Sequence, residues 1–180
     1  MPLLEPLDAQ ALDTRISELL AATAGGYDRH LDEEITEVLQ LLREQLKMDV
    51  IFVSEFINGQ RVFRFVDGGD ALGIHAGVGD PLEQSYCQRV VDGRMSELVK
   101  DAAEAVRRGE LPPTSIKVGG HLSTPVILRD GRVYGTVCCF GSVPKNHLVE
   151  ADLVRLKQCA KLVARKLDIQ QRTDFSPARK

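Results

Sequence analysis

The sequence lacks tryptophan, has only four cysteines, and contains no apolar run long enough to cross a membrane. Its longest uncharged stretches, 118–128 and 133–144, fall well short of the roughly 20 residues that a membrane-spanning helix needs. The first ten residues contain two acids and no basic side chain, unlike an export signal. Four cysteines without the spacing of a disulfide framework therefore predict free thiols in a cytoplasmic protein.

Clustered basic charge is also missing, since the net charge is −3 over 180 residues. The one basic cluster, 157–166, alternates with apolar positions, which is typical of a solvated helix face. We therefore expect no nucleic-acid partner. The sequence has no HxxxH, CxxC or paired-carboxylate pattern, so we expect no metal site. Apolar residues make up 43% of the chain, enough for a real core.

Apolar residues recur at helical spacing in three segments, 8–23, 30–46 and 147–170. Asp28 and Asn146 stand where the N-caps of the second and last helices are expected. The last helix carries two apolar stripes, and both need to be buried. We expect one stripe to lie on a sheet and the other to meet the helix of a second subunit, which predicts a homodimer.

Two dipeptides that favour tight turns, Asn58-Gly59 and Asp130-Gly131, each separate a pair of strand-like runs. The first joins strands at 49–57 and 60–67, and the second joins the runs GHLSTPVILR and RVYGTVCCFG. Because hairpins pair neighbouring strands in opposite directions, we expect an antiparallel sheet.

Two shorter helices are predicted in the middle of the chain. Asp80 followed by Pro81 is typical of a helix start, and this helix should reach about residue 91. Asp101 can cap a second short helix that ends near residue 108. The predicted fold is thus of the α+β type: an antiparallel sheet with the terminal helices on one face and the segment 70–120 on the other.

This order of elements resembles the GAF domain over about residues 30–168. The residues that carry the resemblance are Cys87, Gly93, Asp101, Pro125, Asp130, Gly131 and Gly135. GAF domains are PAS-like sandwiches that bind small molecules between the sheet and the middle helices and commonly dimerise through terminal helices. The resemblance implies the same for this chain.

The chain is thus divided into an N-terminal helix within 1–27, a GAF domain at 28–170 and a tail at 171–180, whose polar composition predicts disorder. Family members often carry a kinase, cyclase, phosphodiesterase or DNA-binding output domain. The remaining residues do not encode one, so we expect a stand-alone module or a piece of a larger protein.

Neighbouring side chains of a strand point to opposite faces, so Cys138 and Cys139 cannot both reach one metal or one substrate. The resemblance places Cys138 on the ligand side, although both thiols could simply be small buried hydrophobes. His121 and Ser123 share a face near the expected ligand, and Asp101 could face the pocket, cap its helix, or do both. The predicted ligand-binding residues are Tyr86, Cys87, Asp101, His121, Ser123, Thr136 and Cys138.

Cys87 lies two turns into its predicted helix, where the helix field has decayed. No lysine or arginine on that helix stands beside it, so we do not expect a thiol of lowered pKa. The side chain could pack in the core, form part of a pocket wall, or act as a redox thiol. We predict no catalytic residue and cannot name a cofactor.

The predicted function is a non-enzymatic sensor in bacterial signal transduction, with an unknown small molecule held between the sheet and the segment 80–120. One alternative is a dimerisation module with a vestigial pocket. A second is a free methionine-sulfoxide reductase, but that subgroup has its key cysteine before the fourth strand, and 101–120 contains none. A third is a tetrapyrrole sensor, yet Gly120 stands where bilin-binding relatives place a cysteine before the histidine.

Overall fold

The computed structural model describes residues 8–24 and 30–174, which form one sheet covered by helices on both faces. The helices are α1 (Ala9–Ala24), α2 (His30–Leu46), α3 (Tyr86–Val91), α4 (Ala102–Arg107) and α5 (Glu150–Asp174). The strands are β1 (Val50–Ile57), β2 (Gln60–Gly68), β3 (Gly79–Pro81), β4 (Leu98–Val99), β5 (His121–Ile127) and β6 (Val133–Phe140).

All six strands pair antiparallel in the order β3-β2-β1-β6-β5-β4. Both predicted hairpins form, and Asn58 and Gly59 adopt the positive φ angles of 53° and 74° that a tight turn requires. At the sheet centre, β1 and β6 approach closely beside Gly135. A Cβ atom on that residue would lie 1.9 Å from the carbonyl oxygen of Ser54, so only glycine fits there.

The helices from the two ends of the chain, α1, α2 and α5, cover one face of the sheet. Strand residues on that face include Ile51, Val137 and Cys139, which join the helices in the larger of two apolar cores. The segment between β2 and β5 covers the other face, where Phe52, Phe63 and Cys138 belong to the second core. The predicted layer order is confirmed, as is the opposite orientation of the two adjacent cysteines.

The helix predicted to start at Asp80 was placed too early. Residues 79–81 instead pair with β2 as the edge strand β3, and a 3₁₀ turn follows at Leu82–Gln84. The α-helix starts only after Ser85, whose hydroxyl accepts from the Gln88 amide at 3.1 Å. The Asp80 carboxylate is not a cap, because it binds an arginine of β2. A three-residue edge strand has no apolar alternation, so its sequence did not reveal it.

The last helix also differs at both ends from its prediction. It begins at Glu150, and Asp152 rather than Asn146 accepts from the backbone amide that precedes it, that of Val149, at 2.9 Å. It continues to Asp174, so residues 171–174 of the predicted tail are helical. The rest of that tail lies outside the described residues, as do the predicted cap Asp28 and its surroundings.

Helix α5 packs against α1 of the same chain as well as against the sheet. Leu12 and Ile16 of α1 are fully buried in the shared core. The guanidinium of Arg155 binds the Asp13 carboxylate at 2.7 Å, and that of Arg165 donates to the Leu20 carbonyl. Most apolar side chains of α5 are therefore already buried within the chain, and the homodimer stays a prediction.

Among the residues described, no helix combines the length and the apolar character that a membrane crossing needs.

Candidate functional site

A cavity of about 590 Å³ lies between the second face of the sheet and the middle segment. Strands β1, β2 and β6 form its floor with Phe52, Phe63 and Phe140. Tyr86 from α3 forms one wall, and its hydroxyl donates to the Pro112 carbonyl at 2.8 Å. This hydrogen bond ties the loop after α4 to α3. The cavity has the size and the mixed lining of a small-molecule site.

Arg61 at the start of β2 is the main charged group of the cavity floor. Its Nε and Nη2 atoms donate to the two carboxylate oxygens of Asp80 at 2.9 and 2.5 Å, and its Nη1 donates to the sulfur of Cys87 at 3.4 Å. The rings of Phe52 and Phe63 flank the guanidinium at 5.4 and 5.0 Å. The arginine is thus held in place by a bidentate ion pair and two cation–π contacts.

Cys87 is fully buried, and its thiol is acidic. Burial opposes the thiolate, but a hydrogen bond from Cys138 and the charge of Arg61 outweigh it and lower the pKa of Cys87 to about 5. The sequence-based expectation of an ordinary thiol was therefore wrong. It considered only the residues of one helix, whereas the guanidinium comes from a strand 26 residues away.

His121 completes a chain of buried polar groups. Its Nε2 atom lies 3.4 Å from the sulfur of Cys138, which in turn contacts Cys87. Burial, together with the charge of Arg61, lowers the pKa of His121 to about 3, so the imidazole is neutral at ordinary pH. Burial raises the pKa of Cys138 well above its usual value, so this thiol keeps its proton.

Three of the seven predicted ligand-binding residues line the cavity: Tyr86, His121 and Cys138. The three others that are buried, Cys87, Ser123 and Thr136, do not line the cavity. The Ser123 hydroxyl is 3.9 Å from the Cys87 sulfur, and the Thr136 hydroxyl is 2.9 Å from that of Ser54.

The seventh predicted residue, Asp101, lies outside the cavity lining. It caps α4, because its carboxylate accepts from the Glu104 amide at 3.0 Å. Of its two predicted roles, the structure places it in the capping one.

Sequence reasoning missed Arg61 and Asp80. A signal for the arginine was present, since it stands two positions before Phe63 and strand periodicity puts both on one face. Among the residues described, no group of three potential ligand side chains could hold a metal ion.

The acidic thiol makes stability depend on pH. The pKa of Cys87 is lower in the folded protein than its ordinary value of 9.0. The Cys87 thiolate therefore contributes its full share to the free energy of unfolding above about pH 9, and this share is lost as the pH falls toward 5. Between about pH 6 and 8 we expect the free energy of unfolding to rise on the order of 1 kcal/mol per pH unit from this group. Urea unfolding of the wild type, of Cys87→Ser and of Cys159→Ser at several pH values measures this pH dependence of the free energy of unfolding.

In Cys87→Ser, most of this increase of the free energy of unfolding with pH should be lost. The variant at 159 is the matched control, because that thiol is also buried but its pKa is raised. Equal slopes in the two variants would contradict the thiolate assignment.

The family model for the GAF domain matches residues 28–168. The chain belongs to the GAF domain family, and its antiparallel sheet with helices is the α+β fold of that family. No curated protein matches the chain.

Solved structures of GAF proteins are similar to this one at low sequence identity. The GAF domain of an Acinetobacter phosphoenolpyruvate-protein phosphotransferase has a TM-score of 0.64 and 16% identity, covering 96% of this chain and 100% of its own. A putative GAF sensor from Burkholderia vietnamiensis has a TM-score of 0.65 and 14% identity, covering 90% and 98%. The free methionine-R-sulfoxide reductase of Neisseria meningitidis, solved with its substrate, has a TM-score of 0.64 and 15% identity, covering 96% and 99%.

Proposed function

We propose that this chain is a cytoplasmic, non-enzymatic sensor that binds a small molecule in the cavity beside His121 and acts in bacterial signal transduction. The observation that carries the proposal is a cavity of about 590 Å³ between the sheet and the middle segment, lined by aromatic, apolar and polar side chains that include His121. A vestigial pocket in a pure dimerisation module would be filled by side chains, so the open volume counts against that alternative.

The proposed signal starts at the middle segment. A guest in the cavity would contact both α3 and the loop tied to Tyr86 and would order them. Helix α3 packs on β5 and β6, whose other face carries α5. The binding energy would thus reach the terminal helices, through which we propose that a homodimer forms and responds.

Native mass spectrometry of the protein purified from its own host tests the proposal. We expect a bound small molecule in the wild type and its loss in Ile116→Trp, which places an indole in the cavity lining. Val143→Trp is the control, because Val143 is half exposed and lies outside the lining. A wild type without bound ligand, or a ligand equally retained in both variants, would count against the site.

A thiol-dependent reductase is a second candidate, favoured by the contact between the Cys87 thiolate and the Cys138 thiol. Such a reaction converts a sulfoxide and two thiols into a sulfide, a disulfide and water, and an external dithiol then reduces the disulfide. Turnover of free methionine sulfoxide with dithiothreitol tests it. Activity lost in both Cys87→Ser and Cys138→Ser would support this candidate, and an inactive wild type would remove it.

A further inference from the structure

The lining of the cavity is aromatic at its floor and polar where it meets solvent. Phe52, Phe63 and Phe140 of the floor are buried. The polar lining side chains that are exposed are Glu83, Gln84, Thr114 and Ser115. Aromatic floors favour ring compounds, because paired rings gain energy beyond the area that they bury. A ligand that fits both regions therefore has an aromatic body and one polar end.

Two permanent cations, Arg61 and Arg89, stand in the described part of the lining. The Nε and Nη2 atoms of Arg61 donate to Asp80, and its Nη1 atom donates to the sulfur of Cys87. A carboxylate that approached this guanidinium would have to displace Asp80 from a bidentate ion pair. Arg61 therefore serves to build the cavity and not to bind an anionic guest.

Arg89 of α3 is half-buried and has no counter-ion. Among the described residues, its guanidinium forms neither an ion pair nor a hydrogen bond. Arg89 follows Tyr86 by three positions, so both side chains lie on the same face of the helix. Burial raises the pKa of the Tyr86 hydroxyl, and the nearby charge of Arg89 opposes this rise. The unpaired guanidinium thus lies beside the tyrosine that forms the cavity wall.

The two carboxylates of the lining oppose an anion only weakly. Asp80 is neutralised by its ion pair with Arg61. Glu83 is exposed to solvent, where water attenuates its field, whereas Arg89 is half-buried. The Cys87 sulfur contacts Arg61 and does not line the cavity. The half-buried positive charge of Arg89 is therefore available to a guest.

A single free guanidinium suits a single acidic group. Its planar fork can donate two parallel N–H groups to the two oxygens of one carboxylate. A polyphosphate carries two or more negative charges, and the described part of the lining offers no second unpaired arginine or lysine to meet them. The complementary end group is therefore a carboxylate.

We propose that the cavity takes a monocarboxylate with an aromatic body, whose ring lies on the phenylalanine floor and whose carboxylate binds Arg89. The inference rests on the proposed ligand-binding function and specifies the chemical class of the ligand.

The test compares three probes that share one ring system and differ in the charge of the side chain. Indole-3-acetate is the anion, indole-3-acetamide the uncharged isostere and tryptamine the cation, all measured by isothermal titration calorimetry. We expect the acid to bind about tenfold more tightly than the amide, because only the acid accepts charge-assisted hydrogen bonds. Tryptamine should bind most weakly, and added salt should narrow the difference between acid and amide.

Two arginine variants identify the group that reads this charge. Arg89→Gln should bring the affinities of acid and amide to within about twofold of each other and leave that of the amide unchanged. Arg94→Gln is the matched control, because it removes the same charge from a nearby side chain that binds Asp92 and does not line the cavity. It should keep the full preference for the acid. Urea unfolding should show that both variants remain folded.

The outcomes separate this inference from the proposed function. Equal affinity for acid and amide, tighter binding of tryptamine, or the same loss of preference in both variants overturns the assignment to Arg89 while still showing that the cavity binds ring compounds. Absence of binding by all three probes also overturns the inference. The proposed function is then judged on its own by the ligand retained in native mass spectrometry.

Discussion

Replacement of Arg61 by glutamine is expected to lower the free energy of unfolding by on the order of 3 kcal/mol. The guanidinium joins the half-exposed Asp80 carboxylate to the fully buried Cys87 thiolate. Without it, the thiolate loses its only contacting cation among the described residues. The pKa of Cys87 should then rise from about 5, because burial still opposes the thiolate and the stabilising charge of Arg61 is lost.

Arg64→Gln is the matched control for this prediction. Arg64 lies on the same strand and binds Glu55 at 2.7 Å, but its side chain is 45% exposed. Because exposed ion pairs contribute little, we expect a loss below about 1 kcal/mol. Urea unfolding at neutral pH gives both stabilities, and ultraviolet thiolate absorbance gives the pKa. Similar losses in the two variants, or an unchanged thiol, would contradict the proposed role of Arg61.

Replacement of Ile16 by alanine is expected to lower the free energy of unfolding by about 3 kcal/mol. Ile16 is fully buried in the core that α1 shares with α5, although the family match begins only at residue 28. Loss of three buried carbon atoms from a packed core leaves a cavity that neighbouring side chains fill only partly. The result would show that α1 is an integral part of this domain.

Ser17→Ala on the exposed side of α1 is the control, with an expected change within about 0.5 kcal/mol. Chemical denaturation should show one cooperative transition in both variants. A second transition, or a negligible effect of Ile16→Ala, would indicate that α1 is only loosely attached.

Elements with strong local signals could be predicted from the sequence. The second helix occupies the predicted segment 30–46 because its apolar stripe repeats without interruption. The two hairpins form where Asn-Gly and Asp-Gly allow positive φ. Cys138 faces the cavity side and Cys139 the helices, as strand alternation requires. Each of these features is specified by a pattern within a short stretch of sequence.

The predictions that were wrong concern features that depend on contacts between distant segments of the chain. The start of α3 was misplaced because Asp80 has the residue type of a cap, and only its contact with Arg61 reveals its role. The acidity of Cys87 depends on the same arginine, which reaches it from β2. An apolar stripe shows only that a helix face is covered and not what covers it, so the contact between α1 and α5 was not predicted from the sequence.

The position of Tyr86 and Cys87 as consecutive residues has a thermodynamic consequence. One ring forms the cavity wall, and the next side chain holds a negative charge against Arg61. A guest that displaces this turn of backbone changes the distance between sulfur and guanidinium. Ligand binding in the cavity and protonation of the Cys87 sulfur are then linked. If a bound compound changes the proton affinity of the sulfur by some factor, protonation of the sulfur changes the affinity for that compound by the same factor, so binding varies with pH.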